Sequence, residues 1–399
     1  MTLFHQFKWT RKACYLGYIT QSVCINFVPL LFLTFEHTFG ITLGQISLLI
    51  GINFAVQLLS DMTVAKIADW MGLRRAAVTA QLIAVAGLVS LAVLPFLLPN
   101  AFVGLIIAVL LCGIGGGCNE VLISPIIEAC PGDGKASSMS LLHSFYCWGQ
   151  AGVILLSVGF FALFGIERWP ILSCLLGLIP FMGALLFTAV PLAQPEEEEG
   201  GTALRHLFRS RAFFWCLLLI FAAGAAEMIM GQWASAFAES GLGVSKTVGD
   251  LLGPCFFAIM MGGARILYAK IASKVSLVLT VALSALLCIL SYLMAALVPI
   301  PLVALLSCGL CGLSVGIFWP GTYSLAAARL PLGGVPMFAL LAIAGDCGCL
   351  LGPSIAGGIA DRFGGDIRFA FLLSTVLPCV ILLCAARLWL LSKKKNGKP

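Results

Sequence analysis

The sequence predicts an all-α membrane protein with twelve transmembrane helices in two pseudo-symmetric six-helix bundles. Of its 399 residues, 61% are hydrophobic and only 10% are charged, whereas a soluble domain carries about 25% charged residues. This apolar surplus cannot be buried in a water-soluble core and must face lipid. Nearly the whole chain divides into apolar runs of about 20 residues, the length that an α-helix needs to cross a bilayer.

Each of the twelve runs is interpreted as a helix, because ordinary β-strands are shorter and a transmembrane barrel alternates polar and apolar residues. Proline and glycine occur inside several runs, and transmembrane helices tolerate them. The predicted spans are, in order, 12–35, 44–66, 75–98, 101–128, 136–164, 169–191, 212–237, 246–270, 276–298, 301–328, 335–360 and 367–391.

The distribution of lysine and arginine predicts the orientation of the spans, because cytoplasmic loops are enriched in these residues. With the N-terminus in the cytoplasm, the 23 basic residues fall on the cytoplasmic side except for Arg168, Lys246, Arg362 and Arg368. An even number of spans then returns the C-terminus to the same side. We therefore expect a multi-pass protein of the plasma membrane with both termini cytoplasmic.

Two pairs of short segments recur in the same order in the two halves of the chain. VAKIADWM (64–71) is echoed by YAKIASKV (268–275), and CGIGGGCNEVLISP (112–125) by CGLCGLSVGIFWP (308–320). These echoes indicate a duplicated six-helix unit, an architecture in which substrates bind near the midplane. The predicted bundles are 1–191 and 212–399. The cytoplasmic linker between them, 192–211, contains four consecutive Glu residues, which is typical of a solvated segment.

The segment AKIADWMGLRRAAV (65–78) lies between the second and third predicted spans. It resembles the signature loop of the major facilitator superfamily, G-x-L-A-D-R-x-G-R-K, and it carries the matching Ala-Asp pair, the glycine and one basic residue. The resemblance implies a secondary transporter in which this loop latches an inner gate. Physically, the glycine permits a tight turn and the carboxylate can pair with basic groups or cap a helix. The predicted gate residues are Asp61, Asp69, Gly72, Arg74 and Arg75; for Asp61, a role as a ligand is the alternative.

Two further segments narrow the resemblance. NEVLISPIIEACPGDGKASSMSLLHSFYCWGQAGV (119–153) is similar to the fourth and fifth helices of the fucose-permease-like branch of that superfamily, and GAAEMIMGQWASAF (224–237) is similar to its seventh helix. This branch resemblance implies proton-coupled uptake of a sugar or a similar small polar molecule.

Polar side chains recur within the predicted spans, where they would not be left facing lipid. We expect them to converge on a water-filled cavity, in which amides bind hydroxyl groups and aromatic rings cover the apolar face of a sugar. Hydrogen bonding between helices is an alternative role for Asn53, Gln57 and His143. The candidate substrate-binding residues are Gln21, Asn26, Asn53, Gln57, Asn119, His143, Tyr146, Trp148, Gln150, Gln232, Trp233, Trp319 and Tyr323.

Three carboxyl groups within the spans are candidates for proton coupling: Glu120, Glu227 and Asp346. We expect no basic residue at the depth of Glu120 or Glu227, and burial without such a partner disfavours an ionised carboxylate. A carboxyl group that is neutral when occluded and ionised when hydrated can carry a proton across the membrane.

These observations favour a proton-coupled importer of a small polar solute, with a sugar preferred and sodium as the alternative coupling ion. A second hypothesis is a proton-driven exporter of amphipathic compounds, because the chain contains 27 Phe and 8 Trp. The Gly–Pro motif that such exporters carry in their fifth helix is missing there, and a similar run, GPSIAGG (352–358), lies in the eleventh span. A third hypothesis is a membrane sensor that has lost transport.

The sequence favours no enzymatic activity, cofactor or metal site. It contains no Walker phosphate loop, so the expected driving force is an ion gradient. The expected partners are a small-molecule substrate, the coupling ion and the lipid bilayer, with no nucleic acid, and we expect a monomer.

Overall fold

The computed structural model describes residues 6–131, 135–192, 204–271, 275–330 and 334–396, and these ranges contain helices and turns but no β-strand. The chain forms two compact units, Met1–Glu197 and Glu198–Pro399. The bundle boundaries expected above, 1–191 and 212–399, and the linker at 192–211 remain predictions, and residues 193–203 of that linker lie outside the described ranges.

The described part of unit 1 contains eight α-helices that make six spans. A 3₁₀ turn, Val28–Leu31, contains Pro29 and joins the first two helices, because proline removes a backbone donor and interrupts the α-helical pattern. The sixth span is interrupted at Gly177. The helices are α1 (Phe7–Asn26), α2 (Phe32–Phe39), α3 (Leu43–Met71), α4 (Leu73–Leu97), α5 (Ala101–Glu128), α6 (Lys135–Phe164), α7 (Trp169–Leu176) and α8 (Leu178–Ala189).

Among the residues of unit 2 that the structure describes there are ten α-helices, of which the first is short and the others make six spans. Two π-helical turns, Phe237–Gly241 and Leu251–Cys255, lie on either side of the connection between its first two spans. The helices are α9 (Leu204–Arg209), α10 (Arg211–Ala236), α11 (Lys246–Asp250), α12 (Phe256–Ile271), α13 (Leu277–Leu297), α14 (Pro301–Val315), α15 (Phe318–Arg329), α16 (Gly334–Arg362), α17 (Ile367–Ser374) and α18 (Val376–Asn396).

Twelve helical segments in the described ranges, 21 to 33 residues long, are long and apolar enough to cross a membrane. The predicted number of spans is therefore confirmed, as is the all-α fold class with six spans in each unit. The first span, Phe7–Phe39, is longer than the expected 12–35, because α2 continues the helical path beyond the 3₁₀ turn.

The start of α3 shows how local sequence sets a helix boundary. The Thr42 hydroxyl accepts a hydrogen bond from the Gln45 backbone N–H at 3.2 Å, and the Gln45 side chain accepts one from the Thr42 N–H at 2.9 Å. This reciprocal capping box satisfies two N–H groups that the first turn of the helix leaves without intrahelical partners. At the other end of α3, Gly72 adopts φ +86°, a conformation that strains residues with a Cβ.

Glycine residues of α16 bring its backbone against that of α10. The Gly345 backbone contacts Gly224, the Gly348 backbone contacts the Phe221 carbonyl oxygen, and the Gly352 backbone contacts Ala225. Small residues at these positions permit close helix packing in a membrane, where dispersion contacts rather than the hydrophobic effect hold helices together. Unit 2 is therefore organised around a contact between the seventh and eleventh spans.

We expect Gly352→Ala to destabilise the protein by about 1–3 kcal/mol through overpacking. A Cβ added at position 352 would lie 2.7 Å from Ala225 Cα and 2.9 Å from the Ala225 carbonyl oxygen. The backbone of α10 or α16 would have to move to accommodate it. Gly358→Ala is the matched control in the same helix, because a Cβ there meets no atom within 4 Å. Thermal unfolding of the detergent-purified variants measures the difference, and equal unfolding temperatures contradict the packing argument.

Candidate functional site

A cluster of polar side chains lies in unit 1 where α1, α5 and α6 meet. Its centre is a hydrogen bond from the Gln21 amide nitrogen Nε2 to the Glu120 carboxylate oxygen Oε2. Gln21 is only 4% exposed, and its amide oxygen Oε1 accepts no hydrogen bond from a described residue. Glu120 is partly exposed. A carboxylate and a buried acceptor oxygen therefore lie side by side.

Aromatic side chains lie on the same side of α1. The Tyr18 hydroxyl lies 2.7 Å from the Ser124 hydroxyl, one helical turn beyond Glu120. The His143 ring packs edge-on against the Tyr18 ring, with 5.3 Å between the ring centroids. Sequence reasoning missed Tyr18 and Ser124, although Ser124 shares a helix face with Glu120 by its spacing of four residues.

A second contact joins α1 to α6. The Asn26 side-chain nitrogen Nδ2 donates to the Ser22 carbonyl oxygen at 2.9 Å and lies 3.4 Å from the Tyr146 hydroxyl. The two helices approach closely here: a Cβ placed on Gly149 would lie only 3.0 Å from Ser22 Cβ. The structure therefore pairs Gln21 with Glu120 and Asn26 with Tyr146, and it packs His143 on Tyr18.

Asn119 lies apart from this cluster. Its Oδ1 accepts a hydrogen bond from Gln81 at 2.9 Å, its Nδ2 donates to the Gly115 carbonyl oxygen at 2.7 Å, and the Gln81 Oε1 accepts one from Thr20 at 3.0 Å. Thr20, Gln81 and Asn119 are completely buried. This network ties α1, α4 and α5 together and occupies both ends of the Asn119 amide, so the structure gives Asn119 a packing role.

The remaining candidates of unit 1 are dispersed. Gln57 donates to Asn53 at 2.5 Å, so the two residues of α3 share a helix face, as their spacing predicts, and bond to each other. Gln150 is buried, whereas Trp148 is 45% exposed. At 100° per residue, Trp148 points about 160° away from Tyr146 and Gln150, so one face of α6 cannot present all three.

Unit 2 contains a second buried carboxyl group, Glu227 on α10. Its side chain is 3% exposed, and its Oε2 accepts no hydrogen bond from a described residue. Arg265 of α12 acts on it electrostatically, which corrects the expectation that no basic residue lies at its depth. Gln232 is equally buried, and its Nε2 finds no acceptor among the described residues.

The aromatic candidates of unit 2 contact α16. The Trp233 indole N–H donates to the Pro353 carbonyl oxygen at 3.0 Å, which fixes this buried ring between α10 and α16. The Trp319 ring lies against Gly345, next to Asp346, and its centroid is 6.3 Å from that of Tyr323. Asp346, Trp319 and Tyr323 are partly exposed, so this group has access to solvent or lipid.

An ion cluster that the sequence did not reveal joins the seventh and eighth spans. The Lys246 ammonium lies 3.0 Å from Glu239 Oε1 and 3.1 Å from Asp250 Oδ2. The Ser235 hydroxyl donates to Asp250 Oδ1 at 2.5 Å. Asp250 is completely buried, and the two π-helical turns flank the cluster. Buried charges persist only when they are paired and hydrogen-bonded.

The loop between α3 and α4 contains the predicted gate motif. Gly72 makes the expected tight turn. Arg74 donates to the Phe187 and Thr188 carbonyl oxygens at 2.6 and 3.0 Å, so it binds the C-terminal end of α8, and Arg75 is exposed. The side chains of Asp61 and Asp69 lie outside the described part of the structure.

A chain whose described part contains twelve helices able to span a membrane, with buried amide groups inside each of two units, has the architecture of a membrane transporter. Residues 14–335 match the family model of the Major Facilitator Superfamily. The chain belongs to this family of membrane transport proteins, as the loop at 65–78 suggested.

The fold is similar to that of several solved transporters. The nucleoside transporter NupG has a TM-score of 0.77 at 12% identity over 96% of this chain and 99% of that chain. A D-xylose–proton symporter also has a TM-score of 0.77, at 13% identity over 96% and 97% of the two chains. The E. coli fucose:proton symporter FucP has a TM-score of 0.62 at 16% identity over 96% and 98%. A comparison with curated protein sequences gives no match. At these low sequence identities, the structural similarity shows a shared fold and no more.

Proposed function

We propose that this protein is a proton-coupled symporter that moves a small polar solute, with a sugar preferred, across the plasma membrane by alternating access. The observation that carries the proposal is the hydrogen bond between Gln21 and Glu120, next to an amide oxygen without a described donor. The carboxyl group can bind the proton, and the amide oxygen can accept a hydrogen bond from a substrate hydroxyl group.

The surroundings of this pair suit a sugar. Asn26 and the Tyr146 hydroxyl supply further polar groups on the facing sides of α1 and α6. The rings of Tyr18 and His143 supply flat surfaces on which the C–H groups of a sugar can pack. The similarity in fold to a fucose:proton symporter and a D-xylose–proton symporter supports the same class of substrate, and nucleosides, which contain a sugar, belong in the same screen.

In unit 2, Glu227 and Asp346 are the corresponding candidates for proton binding, with Gln232, Trp319 and Tyr323 as candidate contacts for the substrate. The buried and incompletely hydrogen-bonded side chains of Glu227 and Gln232 support their inclusion. Trp233 is less suited to this role, because its indole N–H is engaged by Pro353.

The gate and the orientation of the chain complete the proposal. The loop at Gly72 latches one end of unit 1, and the tight turn that glycine permits there and the anchoring of Arg74 on α8 support a fixed loop geometry. The concentration of lysine and arginine on one side supports cytoplasmic termini. The two bundles, joined by the linker at 192–211, act as a monomer.

Uptake into proteoliposomes tests the proposal. With the outside more acidic than the inside, we expect one member of a labelled panel of monosaccharides and nucleosides to accumulate above its external concentration and to be released by a protonophore. A thermal-shift screen of the same panel selects the compound, because a ligand that binds only the native state raises the unfolding temperature. Failure of the whole panel, together with pH-driven export of an amphipathic dye, favours the exporter and contradicts the proposal.

A further inference from the structure

The two ends of the Gln21 amide are in different situations. The nitrogen donates to Glu120, whereas the oxygen is buried and accepts no hydrogen bond from a described residue. A buried acceptor without a donor is unfavourable, so this arrangement is complete only when another donor reaches Oε1. The geometry matches an ionised Glu120, because an ionised carboxylate can only accept hydrogen bonds.

Protonation of Glu120 changes what the carboxyl group requires of its partner. One carboxyl oxygen becomes an O–H donor, and a donor cannot bond to the Gln21 NH₂ group. Oε1 of the same amide is an acceptor that this O–H can reach once the amide turns over. A half-turn about the terminal side-chain torsion exchanges the amide oxygen and nitrogen, and that torsion is broad and roughly two-fold. After the exchange, the carboxyl O–H donates to Oε1 and the NH₂ group points away from Glu120.

We propose that the Gln21 amide turns over when Glu120 gains or loses a proton, which we call the reading step. The turn exchanges the hydrogen-bond acceptor and donor that Gln21 presents to the site. With Glu120 ionised, Gln21 offers an acceptor oxygen to the site; with Glu120 protonated, it offers an N–H donor. This inference rests on the proposed function, and it adds the chemistry of the substrate: the group that meets Gln21 in the proton-loaded state is an acceptor oxygen, such as a ring, hydroxyl or carbonyl oxygen.

Among the described titratable groups near Gln21, Glu120 is the one whose protonation can turn the amide over. It is the only carboxyl group among the described side chains of α1, α5 and α6. Tyr18 shares a hydrogen bond with Ser124 and packs against His143, and Tyr146 lies near Asn26. On the other helices packed against α5, Arg74 binds the end of α8, Arg75 is exposed, and the Asp61 side chain is outside the described residues.

Infrared difference spectroscopy of the purified protein across a pH titration tests the reading step without any ligand. The C=O stretch of protonated Glu120 is the band that disappears in Glu120→Gln. We expect Gln21→Met, which removes the amide but keeps the length of the side chain, to move this band to higher frequency, because the carboxyl O–H loses its acceptor. Gln57→Met is the matched control, because it removes a buried amide that bonds to Asn53 instead, and the band should stay in place.

Gln21→Asn keeps the amide but is one methylene shorter, so it should give the same band shift even if Gln21→Met folds poorly. An unchanged Glu120 band in both variants overturns the inference. The sugar or nucleoside selected by the uptake screen tests the substrate step: at acidic pH, Gln21→Met should weaken its binding about tenfold, the effect of one lost hydrogen bond, and an affinity within about twofold of the parent overturns that step. If no compound is transported, the proposed function fails, whereas the band shift still decides the reading step.

Discussion

Glu120→Gln should abolish uphill accumulation of substrate while sparing exchange of substrate across the membrane. The variant side chain keeps the size and hydrogen-bonding capacity of glutamate but cannot ionise, so the site is permanently neutral. Exchange needs no net proton movement and survives, whereas a pH gradient can no longer drive net uptake. Binding to the parent should weaken as the pH rises, because Glu120 loses its proton, and binding to the variant should not depend on pH.

Proteoliposomes provide the measurement. In the variant, the internal concentration of labelled substrate should rise only to the external one under a pH gradient, while exchange between preloaded and external substrate continues. Glu227→Gln and Asp346→Asn are the parallel variants, and only one of the three needs to show this pattern if one carboxyl group carries the proton. Accumulation by Glu120→Gln at the level of the parent gives Glu120 a structural or ligand-contact role and moves the proton to Glu227 or Asp346.

Lys246→Met should destabilise the protein by about 3–5 kcal/mol, the cost of removing one partner from a buried ion pair. The remaining Asp250 carboxylate is completely buried, and the Ser235 hydroxyl alone cannot balance its charge. The double variant Lys246→Met, Asp250→Asn should recover part of the loss, because it removes the uncompensated charge. We expect this recovery although the double variant makes fewer polar contacts.

Denaturant unfolding in detergent measures these differences. Arg362→Met is the control, because it removes an exposed basic residue from the last turn of α16, where such a charge contributes at most about 1 kcal/mol. If Lys246→Met costs no more than this control, or if the double variant is less stable than Lys246→Met alone, the cluster does not act through charge balance.

The fold could be predicted from the sequence because membrane spans are set by length and apolarity. The rotation of each helix could not. Asn119 and Glu120 are adjacent, yet they point about 100° apart, so one is fixed between α4 and α5 while the other faces α1. No pattern in the sequence states which residue takes which role. Gln81 was missed for the same reason: a single amide in an apolar span reveals its partner only after the helices pack.

Charged residues were harder to place than apolar ones. Arg265 was counted among the basic residues of the cytoplasmic side, but its side chain acts on the buried residue Glu227. Lys246 was counted as one of four basic residues on the outer side, and its two carboxylate partners, Glu239 and Asp250, were not foreseen. A sequence shows where a Cα lies along a helix, and the length of a lysine or arginine side chain exceeds one helical turn.

The contact between α10 and α16 has a mechanical consequence. At Gly345, Gly348 and Gly352, the backbone of α16 is set against α10, and the Cys349 sulfur lies beside Gly224 between them. Side chains at an ordinary interface can change rotamer and let one helix slide along another, but main-chain atoms in contact have no such compliance. A shift of one residue brings a Cβ into the space that a glycine leaves open. Sliding of the seventh span along the eleventh is therefore disfavoured, and the Trp233–Pro353 hydrogen bond fixes the same pair of helices.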